Sequence, residues 1–481
     1  MSLCRPFLDA ADRAPSHPAL IFDGAPIGYG ALRDSVLRAG AGVAALTGTA
    51  GRPPRVALRL GNRPELLALF LGTVAAGGTV ALLDPKWSGG QATAALDTLR
   101  PDLLLAEDTA AGWMAAQSAG WMPPPVDPKT PFLIGFTSGT TGRPKAFIRD
   151  QGSWLATLEA SRVEFGIGPG DVVLVPGPLV HGLGLYGAVE GLSAGATVHV
   201  QPRFDGDDAA RRLAEAGVTT LVVVPTMLVA ILDAAERRGA PFPALRRVVC
   251  SGAKLAPALH ERLTALCPDV TVLEYYGASE LSFVSLRSSR EGAPADSVGR
   301  PFHGVELSLR DDHGRPVERG QPGTVWVRSG MLSDGYIGDA DGAGYRERDG
   351  WGTVGDCGWL DAGGWLRLAG REGDMLISGG LNVYPAEVEA VLRAHPAVAE
   401  AVVFGLPDAY WGDAVSAVLW WRGEARAPAA ELRAWCHGRL EGYKAPRRFL
   451  AADSLPLTGS GKIARAALRD RARDGRLEEL A

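Results

Sequence analysis

The sequence predicts an α/β protein: a large N-terminal domain of wound parallel sheets with a β-rich subdomain, then a small α+β domain at the C-terminus. Three observations carry this. From Val56 to Leu266, short apolar runs alternate with helical stretches. From about Ser297 to Leu368 the pattern turns to short alternating runs between glycine-rich turns. After Gly370 it changes again, into an α+β pattern of about 110 residues, a usual size for an independent domain.

Val56–Leu60 reads as a buried strand, Pro64–Ala76 as a helix with proline at its start, and Thr79–Leu82 as the next strand. The proline-rich stretch Met122–Pro131 reads as a surface connection. The apolar run Phe132–Phe136 is a strand that delivers the polar loop after it to the carboxyl end of a sheet, where ligands of such folds sit. The same beat returns in strand Val172–Val175, helix Gly182–Leu192 and strand Thr197–Val200. It continues through Leu221–Val224, a helix after Pro225, strand Arg247–Cys250 and helix Ala256–Leu266. Connections this short imply parallel pairing with helices on both faces. Glu306–Arg310 and Thr324–Arg328 mark the β-rich part, about 297–370. Pro385–Ala394 and Ala429–Leu440 read as helices, Ala399–Gly405 and Ala414–Trp421 as strands. The expected division is 1–372 and 373–481.

At 481 residues the chain exceeds one ordinary core. With 46% hydrophobic and 21% charged residues it is globular, not disordered. A net charge of −5 offers no basic footprint for nucleic acid. Five scattered cysteines without a C-x-x-C pair argue against a disulfide framework or a zinc site. No apolar run reaches membrane-spanning length and Met1–Pro6 lacks a signal core, so a soluble cytoplasmic protein without a membrane span is expected.

The densest chemistry lies in Thr137-Ser138-Gly139-Thr140-Thr141-Gly142-Arg143-Pro144-Lys145. Glycines let backbone N–H groups approach an anion, hydroxyls add rotatable donors, and Arg143 and Lys145 bring charge. The spacing is not a Walker loop: Gly139 and Gly142 are three apart and Ala146 follows Lys145. Tyr275-Tyr276-Gly277-Ala278-Ser279-Glu280 follows the strand-like Val270–Leu273. It reads either as a strand-end turn or as a nucleotide corner, with an aromatic face for a base and a carboxylate for Mg²⁺. Asp356 lies in a glycine-rich turn, where a carboxylate can accept from two vicinal hydroxyls or bond its own backbone. Lys462, in Leu457-Thr458-Gly459-Ser460-Gly461-Lys462, is by itself an ordinary solvated charge.

Together these runs resemble the adenylate-forming superfamily of acyl- and aryl-CoA synthetases, nonribosomal peptide adenylation domains and luciferases. The matches occur in the family's order over nearly the whole chain. The resemblance implies that Thr137, Ser138, Gly139, Thr140, Thr141, Gly142 and Lys145 grip the phosphates of ATP. It further implies that Tyr276 stacks on adenine, Gly277 belongs to the nucleotide site, Ser279 contacts phosphate, Glu280 coordinates Mg²⁺, and Asp356 and Arg371 bind the ribose. Lys462 looks like the family's catalytic lysine, an ammonium that bridges substrate carboxylate and α-phosphate where charge develops. In the family the small domain carrying it is mobile and swings between two half-reactions. The hinge position, usually Asp or Lys, is Gly373 here, which frees rotation but removes a side chain. Gly379 and Gly380 fall where CoA ligases line the pantetheine tunnel.

Pro178–Gly187 resembles the stretch bordering the acyl pocket, with His181 as gate or orienting group and Gly182 beside it. Thr226, Ser251, Gly252, Ala253 and Ser282 are further lining candidates. Amino-acid-activating members place an Asp in this stretch; here no acid precedes Glu190. Burying an unpaired ammonium is costly, so the expected acid lacks an α-amino group. The expected activity is an ATP- and Mg²⁺-dependent acid–CoA ligase that forms acyl-AMP and pyrophosphate. Alternatives are loading of a carrier-protein phosphopantetheine, a diazotase-like transfer of adenylated nitrite to an amine, and a catalytically idle nucleotide-binding homologue.

Overall fold

Val56, Ala57 and Leu58 have no exposed surface, the burial expected of a parallel strand covered on both faces. The computed structural model describes residues 2–46, 52–138, 144–337, 344–372, 375–378, 381–408, 410–456 and 463–480. The chain packs as two units, Met1–Leu307 with Val327–Val354, and Ser308–Trp326 with Gly355–Ala481.

In the first unit, Arg55–Arg59 lies between Leu103–Ala106 and Thr79–Leu82, and Pro131–Ser138 follows, all parallel. Pro144–Asp150 closes this five-stranded sheet antiparallel. The helix Pro64–Ala75 buries every residue from Leu66 onward, so it is apolar all round and not amphipathic. The larger sheet orders its strands as Arg300–Pro301, Ser282–Ser288, Thr271–Ala278, Arg247–Cys250, Thr220–Val223, Val172–Val175, Thr197–Val200, Pro18–Phe22 and Ala25–Gly28. The run from Thr271–Ala278 to Pro18–Phe22 is parallel throughout. Its flanking pairs are antiparallel, an addition to the expected parallel winding. Aliphatic residues of Thr220–Val223 and Arg247–Cys250 pack with helices Pro225–Arg238 and Pro257–Leu266 in one core.

The expected β-rich part is antiparallel. Arg346–Arg348 pairs with Trp351–Thr353 in the first unit. In the second, Asp356–Leu360 pairs with Leu366–Arg371, and Gly323 and Thr324 pair with Gly358 and Cys357. The α+β tail wraps helices Pro385–Arg393 and Ala429–His437 against the hairpin Val398–Asp408 and Gly412–Trp421. Arg448–Ala451 adds in parallel to Gly412–Trp421, and helix Arg465–Arg473 packs on a second small core. All five cysteines are free and buried.

Candidate active site

Four parallel neighbours of the large sheet bring several predicted residues to one end. After Val172–Val175 the chain reaches His181, and after Thr220–Val223 it reaches Thr226. Ser251, Gly252 and Ala253 follow Arg247–Cys250, and Tyr276 to Glu280 lie at the end of Thr271–Ala278. The Ser251 hydroxyl donates to the Tyr275 carbonyl at 2.9 Å, tying two of these ends together. Asn62 holds the approach to His181: its amide donates to the carbonyls of Gly177 and Gln201, both at 2.9 Å, and accepts from Leu179 N–H at 2.7 Å. His181 is the N-cap residue of helix Gly182–Ala194 but makes no side-chain cap bond. Its Nε2 lies 3.6 Å from Asp84 Oδ2. Burial lowers its pKa, with Asp84 opposing, so the imidazole is neutral at pH 7.

Behind this end, Ser282 occupies the left-handed region at φ 63°, unusual for a residue with a side chain. Its hydroxyl is 3.2 Å from that of Thr157. The next residue, Phe283, meets Tyr275 and Tyr186 edge-on at 4.7 and 5.3 Å. Tyr186 shares a 2.7 Å hydrogen bond with Ser161. One helical turn beyond Tyr186 is Glu190, buried, with Oε1 unpartnered and its pKa pushed up to about 7 by desolvation.

Tyr276 and Gly277 are not a turn: the strand runs on to Ala278, with a register shift between them. A Cβ on Gly277 would lie 2.1 Å from the Ser282 carbonyl oxygen of the paired strand, so this close approach demands glycine. The turn follows at Ser279 and Glu280. Tyr276 is half-buried, Ser279 exposed and Glu280 buried. The Tyr336 hydroxyl donates to the Glu280 carboxylate, and Ser333 N–H donates to the Glu280 carbonyl at 2.8 Å. Buried Arg149 donates to the Ser279 carbonyl at 2.6 Å and to that of Met331. Desolvation lowers its pKa to about 10, with Glu280 opposing, which leaves it charged at neutral pH. Among the described residues no set of three or more His, Cys, Asp or Glu side chains could hold a metal ion. A lone buried carboxylate still fits Mg²⁺, which is typically held by one or two carboxylates together with substrate phosphates.

The predicted phosphate loop joins two antiparallel strands, with Thr137 opposite Lys145 and Ser138 opposite Pro144. Gly139, Thr140, Thr141 and Gly142 lie outside the described residues. The segment at 334–337 pairs along the outer strand: Ile148 N–H donates to Gly335, Asp334 N–H to Ile148, and Ile337 N–H to Ala146. This segment carries Tyr336. The loop's return strand and Glu280 are thus tied together within one unit.

In the second unit Asp356 and Arg371 stand opposite each other in register, with Arg371 Nε 2.7 Å from Asp356 Oδ1. Asp356 is buried and Arg371 exposed, so the pair presents a positioned carboxylate beside a solvent-facing cation. Next to it the Thr324 hydroxyl donates to Glu372 at 2.5 Å. Gly373, Gly379, Gly380 and Lys462 lie outside the described residues. Arg149, Asn62, Tyr186 and Tyr336 went unread in the sequence. Arg149 had one signal: a charge following the apolar run Ala146-Phe147-Ile148.

No described helix is long and apolar enough to cross a membrane. Residues 7–337 match the family model described as AMP-binding enzyme, and 387–462 that of the AMP-binding enzyme C-terminal domain. The chain is 37% identical over 434 residues to an uncharacterized acyl-CoA ligase of Bacillus subtilis, covering 87% of this chain and 88% of the relative. Its fold matches o-succinylbenzoate CoA synthetase of Bacillus subtilis in complex with its acyl-adenylate intermediate, with a TM-score of 0.84 and 28% identity over 97% and 98% of the two chains. It also matches an amide bond synthetase from Marinactinospora thermotolerans, with a TM-score of 0.87 and 27% identity over 97% and 98%. The chain therefore belongs to the AMP-binding enzyme family, as an AMP-forming acid–CoA ligase.

Proposed function

We propose that the protein activates a carboxylic acid without an α-amino group as its acyl-AMP and passes the acyl group to CoA. The observation that carries the choice of acid is the entry of helix Gly182–Ala194. Its first turn holds no acidic residue, and the next acid along it, Glu190, is buried with its pKa pushed up to about 7. A carboxyl only about half ionised at pH 7 is a weak partner for a buried ammonium. The aromatic set Tyr186, Tyr275 and Phe283 behind the entry suits the apolar body of an aliphatic or aromatic acid.

In this reading ATP, with Mg²⁺, supplies the electrophilic α-phosphorus and the pyrophosphate leaving group. Thr137, Ser138, Gly139, Thr140, Thr141, Gly142 and Lys145 hold the β- and γ-phosphates. Tyr276 stacks on adenine beside Gly277 in the nucleotide site, Asp356 and Arg371 hold the ribose, Ser279 contacts phosphate and Glu280 would hold the metal. Neutral His181 orients the acid without adding a competing charge. Lys462 bridges the attacking carboxylate and the α-phosphate, where an ammonium stabilises accumulating negative charge. The C-terminal domain, 373–481, then turns about Gly373, and the thiol arrives past Gly379 and Gly380.

Pyrophosphate exchange across a panel of acids tests this. Exchange is expected with acids lacking an α-amino group and not with their α-amino counterparts, followed by AMP release on adding CoA. Preference for the amino acids, or silence with every acid, would overturn the reading. The likeness to an amide bond synthetase favours one second reading, an amine acceptor. An aryl amine, nitrite with an amine, and a holo carrier protein in place of CoA decide between the acceptors.

A further inference from the structure

Arg465 lies three residues after Lys462 and opens helix Arg465–Arg473. Its guanidinium meets the Glu389 carboxylate in a two-pronged ion pair, Nη1 to Oε1 and Nη2 to Oε2, the second at 2.8 Å. Glu389, on helix Pro385–Arg393, is 3% exposed. The pair is also tied to the backbone. Glu389 Oε1 accepts from Val403 N–H at 2.8 Å, and Arg465 Nη1 donates to the Val403 carbonyl at 3.0 Å. Val403 belongs to Val398–Asp408, which among the described strands pairs only with Gly412–Trp421. Arg465 and Glu389 therefore satisfy both outward backbone groups of an edge-strand residue, one with a cation and one with an anion.

Next to Arg465, Ala464 N–H donates to the Pro456 carbonyl at 2.8 Å, and Pro456 and Ile463 are the described residues that flank 457–462. A two-pronged arginine–carboxylate pair fixes direction as well as distance, unlike a lysine point charge. Arg465 is partly exposed and Glu389 buried, and Arg393 Nη1 lies 3.8 Å from Glu389 Oε2, so removing Arg465 leaves the buried carboxylate with one more distant cation.

We propose that the Arg465–Glu389 pair is a positioning device for Lys462: it pins the chain three residues after the lysine to helix Pro385–Arg393 and the edge strand. This rests on the reading of Lys462 as the group that serves adenylation. A purely structural pair would support both half-reactions alike, because both need the small domain folded. A positioning pair supports chiefly the one that uses Lys462.

The test compares Arg465→Met, Arg465→Lys, Glu389→Gln and Lys462→Ala in the full chain. Adenylation is followed by pyrophosphate exchange, thioester formation from preformed acyl-AMP and CoA, and folding by thermal melting. Glu389→Gln keeps an acceptor for Val403 N–H and serves if Arg465→Met does not fold. Arg465→Met or Glu389→Gln is expected to lower kcat for adenylation roughly tenfold or more, since a displacement of about 1 Å costs up to about 100-fold. KM for ATP and the thioester step should stay within about threefold, and Arg465→Lys should recover part of the loss. Equal loss in both half-reactions, or no loss in a folded variant, overturns the inference. If Lys462→Ala itself adenylates normally, the reading of Lys462 fails and the inference with it. Loss in Lys462→Ala beside full adenylation in Arg465→Met overturns the inference alone.

Discussion

Glu190 shows how one side chain can set a protein's response to pH. Desolvation is the main cause of its raised pKa; contact with Ser161 and the charge of Arg247 oppose it. In the unfolded chain the carboxyl releases its proton near 4.5, and in the folded chain near 7. Between those values the folded state binds more protons, so stability falls as pH rises. Each tenfold change in proton affinity is about 1.4 kcal/mol, so the effect amounts to about 3 kcal/mol. Glu190→Gln cannot ionise. Urea unfolding at pH 5 and pH 8 should show the parent losing about 3 kcal/mol relative to the variant across that interval. Parallel pH profiles would show that Glu190 is not held neutral.

At the scale of elements, the return strand Pro144–Asp150 joins two motifs that lie far apart in sequence. It carries Lys145 at its start, and Arg149 near its end reaches the turn with Ser279 and Glu280. Arg149→Met would strand the carbonyls of Ser279 and Met331 without their charged donor. Buried groups left so are expected to cost about 3 kcal/mol, read by urea unfolding, with a raised KM for MgATP as the turn loosens. A variant as stable as the parent would show that these hydrogen bonds contribute nothing net to stability. Strands such as Val172–Val175 were legible because four consecutive apolar residues between breaks leave little choice. Pro144–Asp150 was not, because proline, lysine and the preceding glycines read as loop. Tyr276 and Gly277 were read as a possible turn for the same reason, although the close approach of the paired strand and not a bend requires that glycine.

At the scale of the molecule, the linear pattern divides the chain once, at 372/373, whereas the packed units part at Leu307, Trp326 and Val354. The reason is non-local pairing: Gly323 and Thr324 join Gly358 and Cys357. Hydrophobic periodicity carries no signal for which strand a distant strand will choose. The candidate residues fall in both units, Tyr276 and Glu280 in one and Asp356 and Arg371 in the other, and each pair was legible only as a short motif matched to a family.

The proposed two-step use of the C-terminal domain makes the strongest demand on Gly373. A pivot must change φ and ψ between its two end states, and glycine does so at little steric cost. Proline at 373 would fix φ near −65° and restrict Glu372 as well. If one end state tolerates that geometry, the chain should keep that half-reaction and lose the other. Gly373→Pro is therefore expected to retain pyrophosphate exchange within about threefold while thioester formation falls roughly 100-fold, the scale of a misplaced reacting group. Lys462→Ala should do the reverse, abolishing adenylation and sparing thioester formation from preformed acyl-AMP. The two variants make a matched pair, because one blocks the motion and the other the chemistry that precedes it. Proportional loss of both half-reactions in Gly373→Pro would place the pivot elsewhere. A fully active Gly373→Pro would mean that no rotation about this residue separates the two steps.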